Sequence, residues 1–238
     1  MFNQLNISSG HSINCKGASH FIDEVTEARK VVNRIKEICD KLGVECYTYH
    51  DSSNNSQQNL KNIVEWHNKF LDGLDISIHF NACSVTNDDR GSEVWVYSQG
   101  NFEKQLIKDI ADSGNLLNRG VKTSRGFYFL KNTAKKSILI ELCFVDSQAD
   151  VNKYKANFEN ICRAIVKSLT GKMYVEQTNP TTNIYKVQVG AFKNIENAKK
   201  LQKELKSKGY DSVISRVTKW RGIIMIRLTL ITVVLISY

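Results

Sequence analysis

The chain has 238 residues, of which 42% are hydrophobic and 24% are charged. This length and balance exclude an intrinsically disordered protein and leave room for one medium-sized domain and a small second one. The net charge is +9, and residues 184–238 carry most of it, with 11 Lys and Arg against 3 Asp and Glu. A basic segment of this kind indicates an anionic partner, such as nucleic acid, a membrane surface or a wall polymer, or else a solvated Lys-rich helix.

The first 172 residues show alternating strand and helix patterns. The predicted strands are Leu5–Ser9, Val44–Tyr49, Asp75–Phe80, Glu93–Ser98, Phe127–Leu130 and Ser137–Phe144. The predicted helices are Glu24–Leu42, Gln57–Leu71, Phe102–Leu117 and Ala149–Leu169. This alternation predicts an α/β fold, in which a mostly parallel twisted sheet is flanked by helices. In such sheets, sites form beyond the carboxyl ends of the strands.

A second, smaller domain is predicted at residues 184–238. The only proline, Pro180, lies in a polar stretch, so we interpret residues 173–183 as a linker. Beyond it, a strand at Tyr185–Phe192, a helix at Glu196–Lys208 and a strand at Tyr210–Ser215 predict a small α+β domain of βαβ, ferredoxin-like type. The pattern is incomplete after about residue 215.

The apolar end of the chain, residues 222–238, raises the question of a membrane anchor. It is short for a spanning helix, is interrupted by Arg227 and is rich in Ile, Val and Thr, which favour a strand. We therefore expect no stable membrane insertion. Residues 1–6 have no basic start and no apolar run, so we expect synthesis in the cytoplasm without a signal peptide. The six cysteines form no C-x-x-C pair and are interpreted as reduced core residues.

Two histidines lie near the carboxyl ends of predicted strands. His11 follows the first strand, and His79 lies on the polar face of the third, with Asn81 beside it. Two imidazoles and one carboxylate leave a fourth position open, which is the arrangement of a catalytic zinc site. For a single histidine, the alternative is a structural residue with satisfied hydrogen bonds.

Two glutamates are the candidate carboxylates. Glu24 opens the first predicted helix, where the helix dipole favours a negative charge, and the alternative is a simple capping charge. Glu141 is the one charge in the apolar run Ile138–Phe144, and a buried carboxylate is costly unless it is paired or used. A general base beside a metal-bound water is one use, and a structural ion pair is the alternative.

Five segments together resemble the zinc-dependent N-acetylmuramoyl-L-alanine amidases of the Amidase_3 family, found in autolysins, sporulation enzymes and phage endolysins. In chain order they are Ser9–His11, Asp23–Arg29, Ser77–Ala82, Gly91–Val94 and Ile140–Asp146. The resemblance covers most of residues 1–172. It implies that His11, Glu24 and His79 bind Zn²⁺ and that Glu141 is the catalytic carboxylate. It also implies cleavage of the peptidoglycan amide between N-acetylmuramic acid and L-alanine of the stem peptide.

Asn81 lies within the third of these segments, and His20 lies between the first two. Asn81 is expected to contact the substrate. His20 lies in the loop between His11 and Glu24 and is the alternative metal ligand.

The segment Val187–Phe192, with the helix that follows it, resembles the SPOR domain, a peptidoglycan-binding module. The expected partners are therefore peptidoglycan and anionic wall polymers. Nucleic acid is not expected, because the basic segment has no aromatic interleaving of the kind that reads bases. Without a signal peptide, a phage endolysin released through a holin pore is favoured over a secreted or sporulation autolysin. A zinc peptidase acting on another amide and a non-catalytic wall-binding protein are the remaining alternatives.

Overall fold

The computed structural model describes residues 1–175, 187–220 and 223–230. The chain divides into two compact units, Met1–Val175 and Glu176–Tyr238. Most of the predicted linker lies outside the described residues.

The first unit contains six strands and five helices. The strands are β1 (Gln4–Ser9), β2 (Glu45–Tyr49), β3 (Leu74–Asn81), β4 (Ser92–Val96), β5 (Asn118–Thr123) and β6 (Ser137–Phe144). The helices are α1 (Glu24–Lys41), α2 (Ser56–His67), α3 (Phe102–Gly114), α4 (Tyr128–Asn132) and α5 (Gln148–Thr170).

All six strands form one sheet in the order β2-β1-β3-β6-β4-β5. Every neighbouring pair is parallel except β4 and β6, which run antiparallel. The predicted α/β fold with a mostly parallel sheet is therefore confirmed. Because β4 and β5 point the other way, their amino ends lie at the same edge of the sheet as the carboxyl ends of β3 and β6.

The two faces of this sheet differ in chemistry. One face carries fully buried isoleucines on the central strands, including Ile76, Ile78, Ile138 and Ile140, which join the main core with residues of α1, α3 and α5. Burying each such side chain contributes about 1.5–3 kcal/mol to folding. The opposite face is only partly covered, by a smaller apolar cluster that α2 and α4 share with Leu139. The uncovered part of that face is where polar side chains collect.

Two predictions for the first unit were wrong, and one strand was missed. Residues 127–130 were predicted to form a strand, but α4 begins at Tyr128, and its Phe129 and Leu130 pack against α2. The edge strand next to β4 is β5, which the sequence pattern did not predict. All six cysteines are free, but Cys83 is exposed rather than part of the core.

The second unit contains β7 (Val187–Phe192), α6 (Ile195–Ser207), β8 (Ser212–Trp220) and β9 (Ile223–Leu230). The three strands form an antiparallel sheet in the order β7-β9-β8. The predicted order of strand, helix and strand is present, and the apolar end of the chain supplies the central strand β9. Residues 231–238 of that end lie outside the described residues. Among the described helices, none is long and apolar enough to cross a membrane.

Candidate active site

The side chains of His11, Glu24 and His79 meet at the carboxyl edge of the sheet. One ligand atom from each lies within 4.8 Å of the other two, and no other such group of three occurs in the described part of the chain. His79 Nδ1 is 3.1 Å from Glu24 Oε1, and His11 Nε2 is 3.4 Å from the same oxygen. The two imidazole centroids are 5.1 Å apart. The structure thus brings together the three residues that the sequence singled out.

Glu24 is held in place by backbone donors. Its Oε2 accepts a hydrogen bond from Ala18 N at 2.8 Å, and its Oε1 accepts one from Phe80 N at 3.1 Å. Burial alone would raise the pKa of Glu24, but the hydrogen bond and charge of His79 outweigh it, so the pKa lies below its usual value. The helix cap is a different residue, since Asp23 Oδ1 accepts from Thr26 N at 2.9 Å. Glu24 is therefore free of the capping role that was its alternative.

Two glycines leave the space that this cluster occupies. A Cβ at Gly10 would lie 1.8 Å from His79 Cε1 and 2.0 Å from His79 Nε2. At Gly17, a Cβ would lie 2.1 Å from Glu24 Oε2 and 2.6 Å from His11 Cδ2. Gly10 belongs to one of the segments that carry the family resemblance. Gly17 was missed, because a lone glycine in a loop of unknown course gives no signal.

Glu141 lies next to the cluster, on β6. It pairs in register with His79 on β3, so the two side chains project from the same face of the sheet. Its Oε2 is buried and has no hydrogen-bond partner within the described ranges. Burial raises the pKa of Glu141 to about 7; Glu24 and Glu93 add to the rise, while His79 and Lys122 oppose it. No salt bridge to Glu141 occurs in the described part of the chain, which argues against the structural ion pair.

Sequence reasoning missed a second carboxylate with two cations. Glu93, on β4, stands directly opposite Glu141 in the antiparallel pair and is 1% exposed. Its Oε2 accepts hydrogen bonds from Arg119 Nε at 2.6 Å and from Lys122 Nζ at 2.5 Å. Its Oε1 accepts from Trp95 Nε1 at 2.9 Å. Burial raises the pKa of Glu93, but these donors overcome that effect and hold it below its usual value.

The other predicted site residues have different surroundings. The Asn81 side-chain amide donates to Glu93 Oε1 at 3.1 Å, and its oxygen accepts from Ala82 N at 2.8 Å. Its contact with a substrate therefore stays a prediction. His20 is exposed, with its ring 4.3 Å from that of Phe21, and does not join the metal-ligand cluster.

A cavity of about 380 Å³ opens beside His79 and Glu141. Apart from these two residues and Ser77, its wall is formed by glycines and by apolar and aromatic side chains of α2, β6 and the segment at the start of α4. Phe127 and Tyr128 lie at its rim and are 38% and 42% exposed. The site therefore combines a cluster of metal-ligating side chains, a carboxylate with a raised pKa and an adjoining apolar cavity.

This combination defines a class: an α/β protein with a potential divalent-metal site beside a candidate general base. Comparisons with known proteins identify the family. Residues 6–171 match the N-acetylmuramoyl-L-alanine amidase family model, Amidase_3, and residues 181–231 match the SPOR domain. The chain belongs to the Amidase_3 family of N-acetylmuramoyl-L-alanine amidases.

Relatives and solved structures match part of the chain. A 38.4 kDa protein of Clostridium perfringens is 29% identical over 191 residues, covering 74% of this chain and 56% of the relative. A sporulation-specific N-acetylmuramoyl-L-alanine amidase of Bacillus subtilis is 28% identical over 146 residues, covering 58% of this chain and 55% of that protein. This chain therefore spans about half the length of these relatives. The catalytic domain of the CD27L endolysin, which targets Clostridia difficile, shares the fold, with a TM-score of 0.65, 22% identity and coverage of 72% of this chain and 99% of that domain.

Proposed function

We propose that the chain is a zinc-dependent N-acetylmuramoyl-L-alanine amidase. In this proposal it hydrolyses the amide between the lactyl group of N-acetylmuramic acid and L-alanine of the stem peptide. The observation that carries the proposal is the meeting of His11, Glu24 and His79 beside Glu141, whose Oε2 has no hydrogen-bond partner among the described residues. Membership of the amidase family supplies the identity of the bond.

The ligand-forming residues fit a zinc ion. Two imidazoles and one carboxylate are the donor set of many catalytic zinc sites, and they leave a position open for water or substrate. The absence of a side chain at Gly10 and at Gly17 keeps the space around these donors free. The backbone N–H groups of Ala18 and Phe80 orient the Glu24 carboxylate, as outer hydrogen bonds do for metal ligands in general. Zinc, when bound, polarises the scissile carbonyl and makes water a stronger nucleophile at neutral pH.

Glu141 moves the proton in this proposal. Its Oε2 accepts a proton from the attacking water as the water oxygen adds to the carbonyl carbon. Glu141 then donates this proton to the amide nitrogen as the carbon–nitrogen bond breaks, which releases L-alanine as a free amine. A pKa near 7 suits both steps, because the group must accept and donate a proton within one turnover.

The decisive experiment is digestion of purified peptidoglycan by the full chain, with chelator and with zinc added back. Free amino groups on L-alanine, no new reducing sugar ends, and loss and recovery of activity with the metal are the expected results. Amino groups released from another residue would favour the alternative of a zinc peptidase. Binding without hydrolysis by the folded, zinc-loaded protein would favour a wall-binding protein.

The second unit is proposed to deliver the enzyme to the wall. The SPOR match and the basic composition of residues 184–238 support binding to peptidoglycan, with anionic wall polymers as a further target. Cosedimentation of the full chain with peptidoglycan, before and after extraction of the anionic polymers, separates these two targets.

The proposed biological role is host-cell lysis as a phage endolysin, with release from the cytoplasm through a holin pore. A secreted or sporulation autolysin with the same chemistry is the alternative. Co-expression with and without a holin in a susceptible bacterium distinguishes them. Lysis that requires the holin supports the endolysin, whereas lysis without a holin contradicts it.

A further inference from the structure

The site has a cationic wall on the side of β4 and β5. Arg119 and Lys122 both bind the Glu93 carboxylate, and Glu93 stands opposite Glu141 in the sheet. Lys122 pairs in register with Trp95, which shares the face of Glu93. The two cations therefore lie on the same face of the sheet as Glu141.

This wall keeps a positive charge that its own carboxylate does not neutralise. Two cations share the single charge of Glu93, and their side chains are 32% and 34% exposed, so both reach solvent. A third cation is close by, because Arg119 donates to the backbone oxygen of Arg90 at 3.2 Å. The guanidinium groups of Arg90 and Arg119 both lie over the ring of Phe144, at 5.6 and 5.0 Å. In the part of the chain that is described, Arg90 has no salt-bridge partner.

The opposite wall, around the cavity, is apolar. Leu60 and Ile63 of α2, with Phe127 and Leu139, line it beside His79 and Glu141. A substrate that spans Glu141 therefore meets cations on one side and apolar side chains on the other. The amide that we propose as the substrate has the same asymmetry. Its sugar side is uncharged once the lactyl carboxyl is in amide linkage, whereas the stem peptide carries free carboxylates.

From this charge complementarity we infer that Arg119 and Lys122 bind a carboxylate of the stem peptide, so that the peptide lies over β4 and β5 and the sugar side faces the apolar cavity. The inference rests on the proposed function. Arginine suits this role because its planar group can bind a carboxylate through two parallel hydrogen bonds. Removing one Arg119 or Lys122 side chain still leaves Glu93 with one cationic partner.

The test uses peptidoglycan from one preparation, either native or with its stem-peptide carboxylates converted to carboxamides by carbodiimide and ammonium. The zinc-loaded full chain is assayed on both at limiting substrate, and the release of L-alanine amino groups is measured. We expect the native wall to be cut about tenfold faster, the size of one charge-assisted hydrogen bond. Arg119→Gln and Lys122→Met should each reduce this preference severalfold, mainly by slowing cleavage of the native wall.

A matched control removes a cation far from the site. Lys36 pairs with Asp40 and lies twelve residues beyond Glu24 on α1, or about 18 Å along the helix. Lys36→Met should keep the full preference, and Arg119→Lys should retain part of it.

Three results would overturn the inference. Equal rates of the unmodified enzyme on the two walls would do so, as would a preference that survives in Arg119→Gln and Lys122→Met, since it would then arise elsewhere in the chain. An equal slowing of cleavage of both walls in these variants would also do so, because the cations would then act on the site itself, through Glu93 or through the pKa of Glu141, and not on a carboxylate of the peptide. Failure of the zinc-loaded chain to cut native peptidoglycan is a different result, because it rejects the proposed function itself.

Discussion

Replacing Gly10 by alanine should disable the proposed metal site without touching a ligand. The added Cβ would lie 1.8 Å from His79 Cε1, whereas ordinary contact begins at 3.4 Å, so the imidazole must move by about 1.6 Å. The ring cannot absorb this shift in place, because Glu24 Oε1 and Ser77 Oγ contact its two nitrogens at 3.1 and 3.0 Å. A misplacement of about 1 Å can cost about 100-fold in catalytic rate, and disturbing the groups that orient a metal ligand typically costs about 10–100-fold in metal affinity. We therefore expect turnover to fall about 100-fold and zinc affinity to fall about 10–100-fold, or about 1.4–2.7 kcal/mol in binding.

The assay is competition for zinc with a chromophoric chelator, alongside thermal unfolding of the metal-free protein. Gly114→Ala is the matched control, because its Cβ would lie 2.9 Å from Leu116 Cδ1 and 3.0 Å from Ile161 Cδ1, both in the core. This control should lower stability and leave zinc affinity unchanged. If folded Gly10→Ala binds zinc as tightly as the unmodified protein, then His79 is not held as a ligand in the way we propose.

Three further predictions concern titrating groups. Glu141→Gln should retain zinc and lose about 10²–10⁴-fold in turnover, the usual contribution of a general acid–base group; an active variant would contradict this role. A general base must be unprotonated, so kcat/KM should fall as the pH drops through the pKa of Glu141. Because Lys122 lowers that pKa, Lys122→Met should move the acidic limb of the pH profile to higher pH. An unchanged limb would contradict this effect of Lys122 on Glu141. Burial holds the pKa of His67 below its ordinary 6.5, so the folded protein favours the neutral ring and should lose stability as the pH falls below about 6.5. Urea titrations between about pH 5 and 8 should show a flatter dependence for His67→Gln, and identical slopes would reject this reasoning.

The central strands could be predicted from sequence because burial on both faces leaves a strong pattern. Residues 138–144 form an almost continuous apolar run, and they became β6 as expected. The opposite holds for β5, whose sequence Asn118–Thr123 contains one apolar residue, Val121, and a glycine with positive φ at Gly120. This strand exists because the open edge of β4 offers backbone hydrogen-bonding partners, which no local pattern records.

The prediction of a strand at residues 127–130 was wrong for a related reason. Four aromatic and apolar residues are too few to separate a period of 2 from a period of 3.6. With β5 already at the edge beside β4, the segment folds as the short helix α4 instead. Its residues Phe129 and Leu130 then cover Ile63 and Val64 of α2. The apolar wall of the cavity depends on this outcome, which only the tertiary structure decides.

The candidate ligands were found because the carboxyl-end rule applies to parallel strands. His11 follows β1 and His79 lies near the carboxyl end of β3, which are the positions where the rule predicts a site. Each histidine alone could also have had a purely structural role, and another histidine of the chain shows why that alternative was reasonable. His67, for example, is fully buried between Asp75 and Ser8, at 3.1 and 3.0 Å, which is the structural role that a lone histidine commonly has.

The same rule explains why Glu93 and Arg119 were missed. They lie near the amino ends of β4 and β5, and these ends reach the site only because β4 runs antiparallel to β6. That reversal places two carboxylates, Glu93 and Glu141, directly opposite each other. Two cations hold the pKa of Glu93 low, while burial without a salt bridge from the described residues raises that of Glu141 to about 7. When the surroundings of two neighbouring acids push their pKa values apart in this way, one acid stays charged and the other can exchange protons. The direction of one strand thus leaves Glu141, rather than Glu93, as the residue suited to move the proton.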